Sequence, residues 1–139
     1  MYSKAKEALS DYFGHDSFRP LQKESIEATL NNKDSLVLMP TGGGKSICFQ
    51  IPAIIQDGLC IVVSPLISLM RDQVDKLTDR KIPAAYLNST LSDKEQQEVK
   101  KQMTAGNLDL VYISPERISR QYFQNFLQNS VNVNLFDID

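Results

Sequence analysis

The sequence predicts an α/β protein in which helices cover a mainly parallel sheet. Short apolar runs, of which Leu59–Val63 is the clearest, alternate with segments of helical periodicity. A strand that is apolar along its whole length is typical of a parallel sheet covered on both faces. A glycine-rich turn at residues 41–44 joins a predicted strand to a predicted helix. We therefore expect a ligand at the carboxyl ends of the strands.

Two helices are predicted before the first strand. Apolar residues at helical spacing predict a first helix that ends at Gly14. Pro20 is placed at the first position of a second helix, where its missing N–H costs nothing. The inner face of that helix is expected to contain Leu21, Ile26 and Leu30.

Residues 39–46 read Met-Pro-Thr-Gly-Gly-Gly-Lys-Ser and follow the apolar strand predicted at residues 35–38. Glycines allow successive N–H groups to converge on one anion, and a helix N-terminus adds further donors. Lys45 is expected to reach the β- and γ-phosphates, and the Ser46 hydroxyl to bind Mg²⁺. Met39 departs from the strict motif, which has glycine there. The alternative is a turn that only joins strand to helix; we predict nucleotide phosphate binding.

Strands and helices alternate through the rest of the chain. Ser64 and Pro65 predict a helix cap, and residues 84–87 a short strand. The capping box at residues 92–95 begins a helix that Gly106 ends. The inner face of the helix after Pro65 comprises Leu66, Leu69, Met70, Val74 and Leu77.

A second strand and helix repeat this pattern near the end of the sequence. Residues 108–113 predict a buried strand, and Ser114 with Pro115 begins the next helix. A last strand is predicted at residues 133–139. The inner face of the helix comprises Ile118, Tyr122, Phe126 and Leu127.

Composition limits the classes of function. The 139 residues carry a formal net charge of −2, so nucleic acid would bind through a local groove or through parts outside this chain. Cys48 and Cys60 are expected to be structural thiols in a reducing compartment, rather than zinc ligands or a disulfide. We expect no membrane span and no signal peptide.

An ordered set of segments resembles the first motor domain of RecQ-type superfamily-two DNA helicases, from about residue 13 to the end. The segments lie at residues 18–22, 39–46, 50–53, 63–74, 87–90 and 112–117. The resemblance implies a three-layer, RecA-like P-loop NTPase fold in one partial domain, residues 1–139. Within it, residues 1–33 would hold an adenine-reading motif and residues 34–139 an incomplete core. It also implies ATP, Mg²⁺ and DNA as ligands, with roles in DNA repair and recombination.

The resemblance gives Gln22 the role of reading adenine, for which its amide is suited by one acceptor and two donors. Phe18 and Arg19 would pack around the base, and His15 lies where many relatives carry an aromatic residue. The alternative is that Phe18 is core, Gln22 a solvated helix residue and His15 a surface residue. The nucleotide-binding set is His15, Phe18, Arg19, Gln22, Thr41, Gly42, Gly43, Gly44, Lys45 and Ser46.

The resemblance also implies contacts with a DNA single strand or duplex junction after three of the strands. N–H groups and hydroxyls at helix starts suit phosphate oxygens. The polar run at residues 93–101 is interpreted as a solvated face instead. The DNA-binding set is Ser64, Pro65, Leu66, Asn88, Ser89, Thr90 and Arg117.

The sequence stops at Asp139, which resembles the first residue of the family's Asp-Glu-Ala-His box. Asp139 would hold Mg²⁺ with Ser46 and, with Lys45, form the catalytic pair. We expect this part to bind nucleotide without unwinding DNA, and the strands at residues 35–39 and 133–139 to face a gap. A nucleoid location is expected in bacteria and a nuclear one in eukaryotes. The alternatives are a free-standing nucleotide-binding or kinase-like domain and a non-catalytic DNA-binding module.

Overall fold

The computed structural model describes residues 2–34 and 44–138. The chain divides into two compact units, Met1–Gln56 and Asp57–Asp139. The strand predicted at residues 35–38, loop residues Thr41, Gly42 and Gly43, and Asp139 lie outside the described residues.

The described part of the first unit is helical. Helices α1 (Tyr2–Phe13), α2 (Gln22–Leu30) and α3 (Ile47–Ile55) pack around a small apolar core. Gly14 follows α1 at φ +70°, the left-handed conformation that ends helices at little cost in glycine. The prediction that the first helix ends at Gly14 is therefore confirmed. The core contains Ala5, Ala8, Leu9, Ile26 and Ile51.

Helix α2 begins two residues later than predicted. Leu21 has φ 72°, a conformation that no helix interior accepts, and 52% of its surface is exposed. The N–H of Gln22 closes a turn on the carbonyl of Arg19 at 3.1 Å. The predictions that Pro20 opens this helix and that Leu21 belongs to its inner face are wrong, because the chain turns at both residues. Ile26 is buried as expected.

The second unit is a parallel sheet with helices between its strands. All neighbouring strands are parallel, and their spatial order is β2-β3-β1-β4. This confirms the predicted α/β class with a mainly parallel sheet. The elements are β1 (Leu59–Val63), α4 (Ile67–Asp79), β2 (Ala84–Leu87), α5 (Asp93–Ala105), β3 (Leu110–Ile113), α6 (Pro115–Ile118), α7 (Gln121–Ser130) and β4 (Val133–Ile138).

Helices cover both faces of this sheet, which gives the unit three layers. On one face the Tyr112 hydroxyl donates to Oε1 of Gln73 on α4 at 2.6 Å. On the other face α5 and α7 contribute Met103 and Phe123 to the core. The strand residues in that second core are Leu59, Ile61, Val63, Leu87, Val111 and Ile113.

One predicted helix start and the predicted continuity of another helix differ from the structure. Helix α4 begins at Ile67, so Ser64 is not its cap and Leu66 is 57% exposed. After β3, the single predicted helix is two helices separated at Ser119 and Arg120. The predictions that Leu66 and Tyr122 lie on inner helix faces are wrong, because Leu66 is 57% exposed and Tyr122 is 51% exposed.

The break between α6 and α7 changes which side chains face the core. A continuous helix from Pro115 would place Ile118, Tyr122 and Phe126 on one face. Because α7 begins anew at Gln121, Phe123 is fully buried and Tyr122 is 51% exposed.

Strand β4 forms one edge of the described sheet and changes register against β1. The register shifts between Leu59 and Cys60, and beyond the shift Asp137 pairs with Val62. Phe136 and Ile138 are 54% and 75% exposed, whereas Asp137 lies on the half-buried face. Burial raises the pKa of the Cys60 thiol, and the nearby Asp137 carboxylate raises it further. Asp137 thus lies in β4 close to the buried thiol of Cys60.

Candidate functional site

Gln22 is the most enclosed polar side chain among the predicted nucleotide-binding residues that the structure describes, with 2% of its surface exposed. The N–H of Arg19 donates to its Oε1 at 2.7 Å, and its Nε2 donates to the Gly44 carbonyl at 3.0 Å. The side-chain amide of Gln22 therefore connects the backbone just before α2, at Arg19, to the backbone of Gly44 through two hydrogen bonds. The alternative that Gln22 is a solvated helix residue is wrong.

Gly44 is required by this arrangement for two reasons. Its φ of +80° strains any residue that carries a Cβ. A Cβ at Gly44 would also collide with Nε2 of Gln22, and the Arg19 side chain lies 3.8 Å from the same point. The missing side chain at Gly44 thus provides the space that the Gln22 amide occupies.

The other predicted base-contacting residues lie in different environments. Phe18 is half-buried against the core of the first unit, with its ring centroid 5.8 Å from that of Tyr2. This supports the alternative in which Phe18 is a core residue. His15 and Arg19 are exposed. Arg19 lies beside both Gln22 and Gly44.

Lys45 and Ser46 stand at the N-terminal end of α3. The N–H of Cys48 donates to the Lys45 carbonyl at 3.0 Å, and the N–H of Gln50 to the Ser46 carbonyl at 2.9 Å. Lys45 is exposed and Ser46 half-buried. The positive end of the helix dipole, one ammonium group and one hydroxyl are thus gathered where the motif places a phosphate and its cation.

Two loops after strands of the second unit carry most of the predicted DNA-binding residues. Ser64 is buried after β1, and its hydroxyl accepts from the Leu66 N–H at 3.3 Å. Asn88 is buried after β2, where its Oδ1 accepts from the N–H of Thr90 at 2.9 Å and from the Thr90 hydroxyl. Both polar groups shape their own loops, while Pro65, Ser89 and Thr90 remain exposed.

A cavity of about 270 Å³ brings three of these residues together. Asn88, Ser89 and Arg117 line it, whereas Ser64, Pro65 and Leu66 do not. The guanidinium of Arg117 donates to Oε1 of Gln96 on α5 at 2.8 Å, which fixes one side of its planar head. Donors in this arrangement suit a phosphate oxygen.

Sequence reasoning missed part of this cavity. Ile67, Glu116 and Arg120 also line it, and so does Ser114, which the sequence identified as a helix cap. The positive charge of Arg120, close in sequence to Arg117, could have indicated that Arg120 belongs to this cavity. The prediction of one continuous helix from Pro115 concealed this, because it did not include the turn between α6 and α7.

Comparison with known proteins agrees with the fold and the motifs. The family model described as DEAD/DEAH box helicase matches residues 19–137. The chain resembles the ATP-dependent DNA helicase RecQ of Pasteurella multocida, with 50% identity over 125 residues, which is 90% of this chain and 20% of that protein. It also resembles the RecQ of Bacillus subtilis, with 46% identity over 100% of this chain and 24% of that protein.

Eukaryotic proteins and a solved structure extend the similarity. ATP-dependent DNA helicase Q1 of Rattus norvegicus is 45% identical over 84% of this chain and 19% of its own length. A crystal structure titled as a hypothetical ATP-dependent RNA helicase from Sulfolobus tokodaii superposes with a TM-score of 0.72 at 19% identity, covering 99% of this chain and 50% of that one. That likeness concerns the fold alone.

The chain spans about a fifth of the length of the first curated relatives that it matches. Within residues 2–34 and 44–138, no helix has the length and apolar character needed to cross a membrane.

Proposed function

The chain belongs to the DEAD/DEAH box helicase family, and on that premise we propose that it forms the ATP-binding part of a RecQ-type ATP-dependent DNA helicase. Residues 1–33 would supply the adenine-reading segment and residues 34–139 the core that holds the phosphates. A protein of this kind would act at the nucleoid in bacteria or in the nucleus in eukaryotes.

The hydrogen bonding of the Gln22 amide is the observation that supports this proposal. Each end of its amide already makes one hydrogen bond inside the protein, to Arg19 and to Gly44. A glutamine amide has one further lone pair on its oxygen and one further N–H. Those remaining groups match N6 and N7 of adenine, so base recognition by Gln22 would leave its bonds to Arg19 and Gly44 in place.

The residues around Gly44 fit a nucleotide phosphate. Lys45 would hold the β- and γ-phosphates, and Ser46 and Asp139 would hold Mg²⁺, with Thr41, Gly42 and Gly43 completing the loop. Bound MgATP would supply the phosphoanhydride bond whose hydrolysis drives the motor. Lys45 would stabilise the negative charge on the phosphates, and Arg19 and His15 would cover the base.

DNA is the proposed second ligand, held through the loops of the sheet unit. Arg117, Asn88 and Ser89 around the cavity would contact the sugar-phosphate backbone, with Thr90 beside them. Ser64, Pro65 and Leu66 would extend the contact after β1. Contacts with the sugar-phosphate backbone do not depend on the base sequence of the DNA, as expected for a motor that moves along DNA.

Titration of a fluorescent ATP analogue with and without Mg²⁺ tests the proposal. We expect Mg²⁺-dependent binding that Lys45→Ala weakens about ten- to hundredfold, because a charge-assisted contact is lost. Lys33→Ala, an exposed lysine of the same unit, serves as the matched control and should leave binding unchanged. Equal binding by the starting chain and Lys45→Ala would refute phosphate recognition by this loop and favour a non-catalytic module.

A further inference from the structure

Tyr122 on α7 is an exposed aromatic residue surrounded by cations. Nζ of Lys100, on α5, lies 5.5 Å from the centroid of the Tyr122 ring and 5.9 Å from that of Phe126. A hydrogen bond from the Arg120 side chain is the main cause of a lowered pKa of the Tyr122 phenol, and the charges of Arg117, Arg120 and Lys100 lower it further. We call Lys100, Arg117, Arg120 and Tyr122 the aromatic-cation cluster.

Tyr122 is not one of the core residues of α7. Phe123 and Leu127 are the buried residues of α7, whereas 51% of the Tyr122 surface is open to solvent. Lys100 is half-buried, so it belongs to this cluster rather than to the solvated face that the sequence predicted for residues 93–101. Because Lys100 lies over the ring, a ligand could stack on the part of Tyr122 that remains open to solvent.

The cluster is continuous with the proposed DNA site. Arg117 and Arg120 both line the 270 Å³ cavity next to Asn88 and Ser89. Glu116 is the carboxylate on that lining. Three cations gathered here contrast with a chain whose net charge is −2, so the positive potential is local and complements a polyanion.

We infer that the aromatic-cation cluster binds single-stranded nucleic acid, with one unpaired base stacked on Tyr122 and the adjoining phosphates on Arg117, Arg120 and Lys100. The inference rests on the proposed function, because Arg117 is common to both sites. A base can stack on a side chain only when its face is free, as it is in a single strand and not inside a duplex. Cations beside an aromatic platform form the usual site for such a strand.

Binding of a fluorescent oligothymidine to the full 139-residue chain, followed by anisotropy over a series of salt concentrations, separates the two kinds of contact. Tyr122→Ala should weaken binding about fivefold or more at every salt concentration, while Tyr122→Phe keeps the affinity. Arg120→Gln and Lys100→Gln should each reduce the slope of log affinity against log salt by about 0.7, the value for one lost phosphate contact on a single strand.

Matched controls come from the same chain. Tyr12→Ala removes another exposed tyrosine, and Lys94→Gln removes a charge from another position of α5; neither should change affinity or slope. An oligonucleotide with 5-iododeoxyuridine should photo-crosslink to Tyr122, as mapped by mass spectrometry. Far-UV circular dichroism of each variant should match that of the starting chain.

The outcomes distinguish this inference from the proposed function. If Arg117→Gln weakens strand binding while Tyr122→Ala and Arg120→Gln do not, the inference is overturned and the proposed DNA contact stands. Equal competition by a duplex or by polyglutamate would also overturn it, since the site would then recognise negative charge alone. Failure of the starting chain to bind the strand would overturn both the inference and the DNA contact, while the Lys45→Ala titration would still report on the nucleotide.

Discussion

Gln22 and Arg117 are both predicted to bind a ligand, yet the protein holds them in opposite ways. Gln22 is 2% exposed and uses both ends of its amide on backbone groups. Arg117 is half-buried at the edge of a cavity, and its guanidinium donates a hydrogen bond to Gln96. An Arg side chain has five N–H donors, which is more than the hydrogen bond to Gln96 requires.

This difference separates two kinds of recognition. A buried amide fixed at both ends is preorganised, and its specificity comes from geometry. A cation at the edge of a cavity attracts a polyanion over a distance, and this attraction weakens as the salt concentration rises. Substitution of Gln22 should therefore affect folding and base selectivity together, whereas substitution of Arg117 should change salt dependence with little effect on folding.

The largest expected effect follows from replacing Gln22. Gln22→Ala leaves the Arg19 N–H and the Gly44 carbonyl without their present partner, which should cost about 2 to 4 kcal/mol in the free energy of unfolding. Arg117→Ala should cost under about 1.5 kcal/mol, since it removes one hydrogen bond. Urea denaturation measures both values.

Hydrogen exchange read by mass spectrometry locates the same effect. Peptides from α2 and α3 should exchange faster in Gln22→Ala, while those from β1 and β3 should not. Uniformly faster exchange over the whole chain would contradict a local role for the Gln22 amide.

Gly44 gives a second, smaller effect of the same kind. Gly44→Ala should destabilise the chain by about 2 to 3 kcal/mol, since it adds a collision with Gln22 to the left-handed strain of about 1 to 2 kcal/mol. Gly106→Ala is the matched control, because Gly106 has φ +76° and open space around its Cβ position. Equal losses of stability in the two variants, measured by thermal unfolding, would show that a collision with Gln22 does not contribute.

The smallest effect concerns an exposed contact on α5. Ser92 accepts from the Glu95 N–H at 3.1 Å, and the Ser92 N–H donates to Glu95 at 2.9 Å. Ser92→Ala should cost about 1 kcal/mol at neutral pH.

This cap should also depend on pH. Hydrogen bonds from the backbone and side chain of Ser92 lower the pKa of Glu95 below its ordinary value of 4.5. The stabilisation is therefore present above pH 4.5 and is lost as pH falls through the lower, folded-state pKa. Denaturation of Glu95→Gln, which removes the titrating carboxylate, and of the starting chain over this range should show a difference that narrows as pH falls. A constant difference down to low pH would contradict the capping box.

Much of the sheet unit could be predicted from local patterns. Its strands are short apolar runs, and the capping box and Gly106 mark the ends of α5 by their own chemistry. The family assignment made from the ordered motifs is confirmed by the match over residues 19–137. Periodicity, caps and motif order are all encoded within a few neighbouring residues.

The burial of residues next to an interrupted helix could not be predicted from local patterns. Periodicity assigned Tyr122 to the core because it assumes a continuous helix, and the turn at Ser119 and Arg120 moves Phe123 there instead. The same reasoning failed at Leu21, where a left-handed residue interrupts the pattern. Burial of the Gln22 amide depends on Gly44, 22 residues away. Local patterns carry no information about such a contact.

The affinities of MgATP and MgGTP for the starting chain and for Gln22→Ala test the central claim most directly. Because one acceptor and one donor of a glutamine amide match the edge of adenine and not that of guanine, Gln22→Ala should weaken MgATP binding more than MgGTP binding, by about fivefold or more for two lost hydrogen bonds. Destabilisation of the first unit would lower both affinities together, so the ratio isolates base recognition. Equal losses for the two nucleotides would contradict the account.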